Sequence, residues 1–335
     1  MRIRTFLSSV GVSALIAVGA AGTAVAETKV IRVAQQFGLL YMPLIALLDQ
    51  RLIEKHTKAA GLDTPKVELY KISGGANINK ALLAKTIDFG SHGIGPLLKL
   101  WGKTNGRFKI ALSMADMPLK LLTNDLKINK LEDYLNVKDH KISVPAVNVS
   151  IQAVTLQIAS KNLFNDAKKL DHLTVTMKHP IAVAAMLTGG QAVKSHFATL
   201  PYSYQELQTG KVKLVTSSYD ILGGQHSVMV MSTSRDFKEA NPKTYLAVIA
   251  AFKEAVQWVN ANPGKAAETY IRYTKSKLAP EMLKALLKDK AELDFNNMPK
   301  HTMKYANFLH SIGDIPKAND WKDYYWENNH DLPGS

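Results

Sequence analysis

Small polar residues and glycines stand together where predicted strands end. They are Ser73 and Gly74 after one strand, Ser91, His92 and Gly93 after a second, and Asn148 and Ser150 after a third. Hydroxyl, amide and imidazole groups can donate hydrogen bonds to a ligand oxygen, and glycine lets backbone N–H groups approach a bound group closely. The pattern indicates a site that holds a small molecule through hydrogen bonds and performs no covalent chemistry.

Five further residues adjoin loops of the same kind: Gln35, Phe37, Tyr41, Pro201 and Tyr202. Phe37 and Tyr41 stand where an aromatic ring could stack on a ligand, although a ring at the start of a helix serves packing equally well. Tyr202 is the aromatic residue that we expect the second half of the chain to turn toward the ligand.

Each candidate also has a purely structural interpretation. Serine and asparagine cap helices, and the glycines could be needed only for turn geometry. His92 could be a structural histidine whose hydrogen bonds are satisfied inside the protein. Because no metal-ligand pattern accompanies it, we expect His92 to form hydrogen bonds rather than to bind a metal.

Sequence signatures of catalysis and metal binding are missing from the chain. It contains no cysteine, which excludes disulfides, thiol catalysis and cysteine-ligated metals. It also contains no His-Glu-x-x-His motif, no Gly-x-Ser-x-Gly motif and no close pair of acids in a glycine-rich loop. We therefore expect no catalytic residue, no metal and no cofactor, and an exported hydrolase or lyase remains the less favoured alternative.

The net charge of +14 could indicate a nucleic-acid-binding protein. The lysines are instead scattered along predicted amphipathic helices, as at Lys284, Lys288 and Lys290. They form no basic block with interleaved aromatic residues. A solvated basic surface explains them better, so we expect no nucleic-acid partner.

The first 26 residues have the pattern of a signal peptide. Arg2 and Arg4 form a basic region, residues 10–20 an apolar region, and residues 24–26 a small-residue cleavage site. A membrane anchor is the alternative, but the segment is short for one. No later apolar run approaches the roughly 18 residues of a membrane span, and the cysteine needed for lipid anchoring is missing. We expect a freely diffusing periplasmic protein.

Predicted strands and helices alternate along the chain, which is typical of an α/β fold. A length of 335 residues suits two domains. We expect the chain to cross between two lobes near residues 115–120 and to return after Gly223 and Gly224. The predicted division is a signal peptide over 1–26, lobe 1 over 27–117 plus 228–335, and lobe 2 over 118–227.

A weak internal repeat supports two similar lobes. At one constant offset, four residues of the first half coincide with identical residues of the second, Ala81, Leu83, Ser91 and His92 with Ala185, Leu187, Ser195 and His196. The strands that precede them also correspond, at nearly the same offset. The repeat predicts two α/β lobes that present loops to a shared cleft.

These features resemble the solute-binding proteins of ABC importers, in the nitrate, sulfonate and taurine group that also includes thiamine-precursor binders. The resemblance covers about residues 29–315. It rests on Ile31–Gln35 as first strand, Ala81–Gly90 as a helix followed by a strand, the Pro201 loop, and Asn262-Pro263 among the C-terminal helices.

The resemblance implies a two-lobed type II periplasmic-binding-protein fold with two hinge crossovers. Such a protein closes on a small-molecule ligand and docks on a membrane permease that works with an ATPase, and we expect it to be monomeric. An enzyme of the thiamine-pyrimidine synthase type shares this fold, but its chemistry draws on histidine and bound iron.

The ligand itself stays open between two chemical classes. No loop that carries Gln35, Ser73, Ser91 or Asn148 supplies an arginine to grip a sulfonate or a carboxylate. Helix N-termini and hydroxyls can hold an anion without one. We rank a small organic anion similar to a sulfonate or taurine first, and an aromatic or heterocyclic ligand, such as an aromatic carboxylate or a thiamine-precursor pyrimidine, second.

Overall fold

The computed structural model describes residues 27–188 and 193–335. The signal peptide expected over residues 1–26 lies outside the described residues. Among the residues described, no helix is both long enough and apolar enough to span a membrane.

Two five-stranded sheets form the framework of the fold. Sheet A has the order β2-β1-β3-β10-β4. Its strands are β1 (Val30–Gln35), β2 (Lys66–Lys71), β3 (Phe89–Gly93), β4 (Phe108–Asp116) and β10 (Ser227–Ser234). Sheet B has the order β7-β6-β8-β5-β9. Its strands are β5 (Lys120–Thr123), β6 (Lys141–Val144), β7 (Thr174–Thr176), β8 (Val193–Ala198) and β9 (Lys213–Ser217).

The two sheets repeat one topology. β1 runs parallel to β2 and β3, and β6 runs parallel to β7 and β8 in the same way. β10 pairs antiparallel with β3 and β4, as β5 does with β8 and β9. This correspondence confirms the internal repeat that the sequence predicts.

Two connections carry the chain between the sheets. The first joins Asp116 at the end of β4 to Lys120 at the start of β5, and the second joins Ser217 to Ser227 through the short helix α8 (Ser218–Leu222). Sheet A is therefore built from both ends of the chain and sheet B from its middle. We call the units around sheets A and B lobe 1 and lobe 2. The predicted two-lobed α/β fold with two crossovers is confirmed.

Helices cover the faces of both sheets. Those attached to lobe 1 before the first crossover are α1 (Met42–Asp49), α2 (Leu52–Ala59), α3 (Gly75–Leu83) and α4 (Ile94–Lys103). Lobe 2 contributes α5 (Ile151–Phe164), α6 (His179–Leu187) and α7 (Tyr202–Gln208). The C-terminal helices are α9 (Arg235–Ala240), α10 (Pro242–Ala261), α11 (Pro263–Thr274), α12 (Pro280–Lys288) and α13 (Thr302–Ser311).

The hydrophobic core extends through both lobes. It includes Phe89 of β3, Phe197 of β8 and Phe252 of α10, all fully buried. α10 packs on α1 and α2, so this long helix lies against lobe 1. A smaller cluster around Leu122 and Met186 lies in lobe 2.

From Gly93, Gly95 and Pro96 the sequence predicts a loop over residues 91–96, and this prediction is wrong. β3 continues to Gly93, and α4 begins directly at Ile94. Ser91 and His92 therefore belong to a strand that has neighbours on both sides, and both are fully buried. Tyr202, also predicted in a loop, is the first residue of α7.

The C-terminal tail, to which the sequence pattern assigns no structure, packs on β4. Tyr325 forms an isolated parallel bridge with Ile110, and the backbone N–H of Trp326 donates to the Ile110 carbonyl over 2.9 Å. Asn328 and Asn329 donate from their side chains to the carbonyl of Ala111. The tail thus covers the edge of sheet A that β4 would otherwise leave unpaired.

Candidate ligand-binding site

A cavity that is partly open to solvent lies between the lobes, and its space free of protein atoms is about 520 Å³ with the open solvent included. It is found where parallel strands of both sheets end, which is the edge at which open α/β sheets bind ligands. The backbone N–H of Leu39 donates to the carbonyl of Leu200 over 3.0 Å. This bond joins lobe 1 to lobe 2, next to the lining residues Leu40 and Thr199.

Four helices begin at the cavity wall. The lining residues that mark these helix starts are Gly75 of α3, Gly93 before α4, Ser150 to Gln152 at α5, and His179 of α6. The first N–H groups of a helix have no partner within the helix, and the helix dipole places partial positive charge there. Among the described lining residues none is Asp, Glu, Lys or Arg. The wall is therefore formally neutral but favours negative charge.

Apolar side chains form part of the cavity lining, and we call them the apolar wall. They are Phe37, Leu40, Ile151, Val228 and Met229. Tyr41 also lines the cavity and is only 2% exposed, with its hydroxyl 3.3 Å from the sulfur of Met229. Burial raises the pKa of Tyr41 far above its usual range, so this hydroxyl stays protonated. A ligand with an apolar body and a charged or polar end matches these surroundings.

Polar side chains supply the remaining contacts. Gln36 accepts a 2.8 Å hydrogen bond from the backbone N–H of Gly74, whose positive φ of 83° favours glycine at the N-cap of α3. Ser150 caps α5 by accepting from the N–H of Ala153 at 3.3 Å. Thr199 is 3% exposed, and its hydroxyl has no hydrogen-bond partner among the described residues. That hydroxyl is free to bind a ligand.

His179 enters the cavity at the end of a buried chain of ionisable groups. Its Nδ1 lies 2.7 Å from Nε2 of His196, and Nδ1 of His196 lies 2.8 Å from Oε1 of Glu206. Its Nε2 lies 3.4 Å from the side-chain nitrogen of Gln152, which is also buried. The His179 ring stacks on Tyr202, with 5.5 Å between the ring centroids.

A second cavity adjoins the first around Gln36 and Phe37, which line both. Its space free of protein atoms is about 780 Å³ with the open solvent included. Lys71 and Tyr270 are among its lining residues. Gln35 also lines it, and its side-chain oxygen has no hydrogen-bond partner among the described residues. Together the two cavities provide space for parts of a ligand that extend beyond the helix N-termini.

The structure brings eight of the predicted site residues to these cavities. Phe37, Tyr41, Ser73, Gly93 and Ser150 line the first, and Gln35, Phe37, Pro201 and Tyr202 line the second. Gly74 lies beside them, and a Cβ there would be 3.2 Å from the Pro145 carbonyl of lobe 2. Whether each residue contacts a ligand stays a prediction.

Three predicted residues lie away from the lining. The Nε2 of His92 forms a 2.7 Å hydrogen bond with Ser232, and burial lowers the pKa of His92 to about 3, so the ring is neutral. Ser91 precedes it in the interior of sheet A. Asn148 is exposed, and its carbonyl accepts a 2.7 Å hydrogen bond from Lys99.

Sequence reasoning missed Gln36, Gln152, His179 and Thr199 as lining residues. Two of these residues have a signal in the sequence. Gln36 directly follows the predicted site residue Gln35, and His179-Pro180 marks a helix start. Gln152 has no such signal, because a single amide side chain in the first turn of an apolar helix does not form a recognisable motif.

Across the described ranges, no group of three or more His, Cys, Asp or Glu residues could hold a metal ion.

A family model described as the NMT1-like family matches residues 25–272. The chain belongs to the NMT1-like family. No curated protein matches this NMT1-like chain. Solved structures do match its fold.

The alkanesulfonate-binding protein SsuA from Xanthomonas axonopodis pv. citri, bound to MOPS, has a TM-score of 0.68 at 16% identity, over 90% of this chain and 99% of that one. The periplasmic nitrate-binding protein NrtA from Synechocystis PCC 6803 has a TM-score of 0.70 at 16% identity, over 88% of this chain and 84% of that one.

A third structure is the Candida albicans CA3427 gene product, described as having the generic periplasmic-binding-protein fold. It has a TM-score of 0.64 at 16% identity, over 89% of this chain and 96% of that one. At these identities the likeness establishes the fold. The NMT1-like chain has the periplasmic-binding-protein fold.

Proposed function

We propose that the chain is the periplasmic solute-binding component of an ABC importer. It captures a small organic anion, similar to a sulfonate or taurine, between lobe 1 (27–117 plus 228–335) and lobe 2 (118–227). The loaded monomer then delivers the anion to a membrane permease that works with an ATPase. It binds without catalysing a reaction.

The observation that carries this proposal is the convergence of four helix N-termini on a cavity without a formal charge. An oxyanion there accepts hydrogen bonds from unpartnered backbone N–H groups and is stabilised by the helix dipoles. No arginine is required for this mode of binding. The apolar wall of Phe37, Leu40 and Met229 accounts for an organic body on the ligand.

The family supports the same role. Two of the structures with this fold are described as binding an alkanesulfonate and nitrate. Both ligands are anions whose charge is shared by several oxygens. A cavity ringed by helix N-termini suits that shared chemistry better than it suits a cation.

A second candidate keeps the role and changes the ligand to an aromatic or heterocyclic compound. The stacked pair of His179 and Tyr202 favours it, as does the position of Phe37 at both cavities. Planar rings gain about 0.5–1.5 kcal/mol from such aromatic neighbours. An anionic aromatic carboxylate would satisfy both sets of features.

A thermal-shift panel on the chain from Glu27 onward tests the proposal. The panel contains ethanesulfonate, taurine, MOPS, nitrate, benzoate and a pyrimidine, each at matched ionic strength. Because a ligand that binds only the folded state raises the Tm, we expect a rise of several degrees with at least one organic anion.

Uncharged isosteres control for shape. Ethanesulfonamide for ethanesulfonate, and benzamide for benzoate, should shift the Tm by less than their anions do. A rise in Tm with the pyrimidine, together with no rise for any anion, would contradict the anion assignment and favour the second candidate. Mass spectrometry of the denatured protein identifies any ligand that co-purified and already fills the site.

A further inference from the structure

A buried carboxyl group is connected to the cavity through two histidines. Glu206 and His196 are both 0% exposed, and His179 is 8% exposed where it lines the cavity. The distances of 2.8 Å and 2.7 Å between successive members are those of hydrogen bonds. We refer to Glu206, His196 and His179 as the relay.

The proton on Glu206 decides the direction of every hydrogen bond in the relay. A neutral imidazole donates from one nitrogen and accepts at the other. An ionised Glu206 can only accept, so His196 donates from Nδ1 and accepts at Nε2 from His179 Nδ1. The Nε2 of His179 then carries a lone pair where the ring meets the cavity and Gln152.

Protonation of Glu206 reverses this order. The carboxylic acid donates to His196 Nδ1, His196 Nε2 donates to His179 Nδ1, and the proton of His179 moves to Nε2. The side chain of Gln152 can turn its oxygen to this N–H. One proton at the buried end thus converts His179 Nε2 from an acceptor to a donor, while both histidines remain neutral.

Burial favours the protonated relay. Its buried carboxyl group pairs with His196, and among the described residues no lysine or arginine pairs with Glu206. Its Oε2 likewise has no hydrogen-bond partner there. Desolvation raises the pKa of Glu206 to about 8 and lowers the pKa of His196 to about 3. The pKa of His179 is lowered well below its usual value, by desolvation and by the neighbouring His196.

Few other ionisable groups face the relay. Tyr202 stacks on His179, and burial raises its pKa to about 12. Tyr41 lines the same cavity as a neutral phenol, as described above. The strands beside His196 place Leu122 and Ser143 opposite it, and α5 contributes Gln152. The cap of α6 is Lys178, whose side chain is exposed. Glu206 is therefore the group whose titration near neutral pH reaches His179.

We propose that Glu206 is a positioning residue that acts through His196 to hold His179 as an Nε2–H donor to the ligand's oxyanion, so that the cavity admits an anion only while the relay keeps its extra proton. The proposal rests on the proposed function. It adds that the ligand class is selected by a proton stored outside the cavity wall. Loss of that proton leaves a negative charge on the buried Glu206 and a lone pair on His179 Nε2, where the anion must bind.

Two readouts on the chain from Glu27 onward test this. The first needs no ligand: in histidine-¹⁵N-labelled protein, two-bond ¹H–¹⁵N spectra report which nitrogen of His179 carries the proton, with the His179→Gln variant for assignment. We expect the Nε2–H form at pH 6.5 and the Nδ1–H form at pH 9.5. The same form at both pH values would overturn the proposal.

The second readout is calorimetry with ethanesulfonate as the probe. With a Glu206 pKa of about 8, binding that requires the proton is about tenfold weaker at pH 9 than at pH 6.5. Glu206→Gln cannot titrate, so the ratio between the two pH values should fall to about one. Glu281→Gln is the matched control, because Glu281 has an 82% exposed side chain, and it should keep the tenfold ratio.

The outcomes separate the two proposals. A pH ratio that survives in Glu206→Gln overturns the relay, as does a ratio near one in the unaltered chain. If neither ethanesulfonate nor any other anion binds at pH 6.5, anion capture fails as the function, and the tautomer spectra still decide the relay's proton switch. Circular dichroism and the Tm of each variant verify that it is folded.

Discussion

Replacing Gly93 by leucine is expected to weaken ligand binding roughly 5- to 150-fold, because the new side chain overpacks the contact between the lobes at a cost of about 1–3 kcal/mol. A Cβ at position 93 would lie 2.8 Å from Cγ2 and 2.9 Å from Cβ of Ile151. Ile151 begins α5 of lobe 2, whereas Gly93 ends β3 of lobe 1. The substitution must therefore separate two helix N-termini that meet at the cavity.

Calorimetry and the thermal-shift assay measure this loss with whichever anion shifts the unaltered chain. Gly264→Ala is the matched control, since the nearest atoms to a Cβ there belong to the flexible side chain of Lys284 at 3.9 Å. It should bind as the unaltered chain does. An undiminished affinity in Gly93→Leu would contradict the position of the site between α4 and α5.

The largest expected effect on stability belongs to the C-terminal tail. Trp321→Ala should lower the free energy of unfolding by about 3–5 kcal/mol, the usual cost of deleting a large buried aromatic side chain. Trp321 is 7% exposed and meets Tyr325 edge-on with 5.3 Å between centroids. Gly334 packs so closely on the indole that a Cβ there would be 2.3 Å from Cε2. Losing the indole leaves a cavity under a segment that covers β4.

Urea unfolding followed by circular dichroism measures the change. Asp331→Ala is a suitable control in the same tail, because Asp331 is exposed and surface changes usually stay within about 0.5 kcal/mol. A loss below about 1 kcal/mol for Trp321→Ala would show that the tail adds little to the stability of lobe 1.

The repeated strand and helix pattern made the architecture predictable. Alternating apolar residues at Val30–Ala34 and helical spacing from Tyr245 to Val259 report directly which face of each element is buried. The observed elements there are β1 and α10. The internal repeat also predicts which strands and helices of the two halves correspond, although it contains no information about contacts between residues.

Glycine and proline residues are the reason why the prediction at residues 91–96 is wrong. Gly93, Gly95 and Pro96 suggest a loop, but proline is tolerated in the first turn of a helix, where its missing N–H has no helical partner to lose. A Cβ at Gly95 would lie 3.3 Å from Val154. The glycine therefore serves close packing of α4 on α5, and spacing along one element cannot reveal contacts with another.

The relay could not be predicted for a related reason. His179, His196 and Glu206 belong to α6, β8 and α7, and their spacing matches no motif. The repeat drew attention to His92 and His196 as equivalent residues. In the structure they differ, because His92 meets Ser232 whereas His196 meets Glu206 and His179. The two copies of the repeat have therefore diverged at this pair of histidines.

The most direct test of the central claim is a calorimetric titration of the chain from Glu27 onward with ethanesulfonate, MOPS and nitrate at pH 6.5, beside uncharged ethanesulfonamide. Charge-assisted hydrogen bonds exceed neutral ones by about 1 kcal/mol or more, so we predict that at least one anion binds at one site per chain. We also predict that ethanesulfonate binds about fivefold or more tightly than ethanesulfonamide. Equal affinity for ethanesulfonate and ethanesulfonamide, or no binding of any anion to ligand-free protein, would contradict an anion site built from helix N-termini.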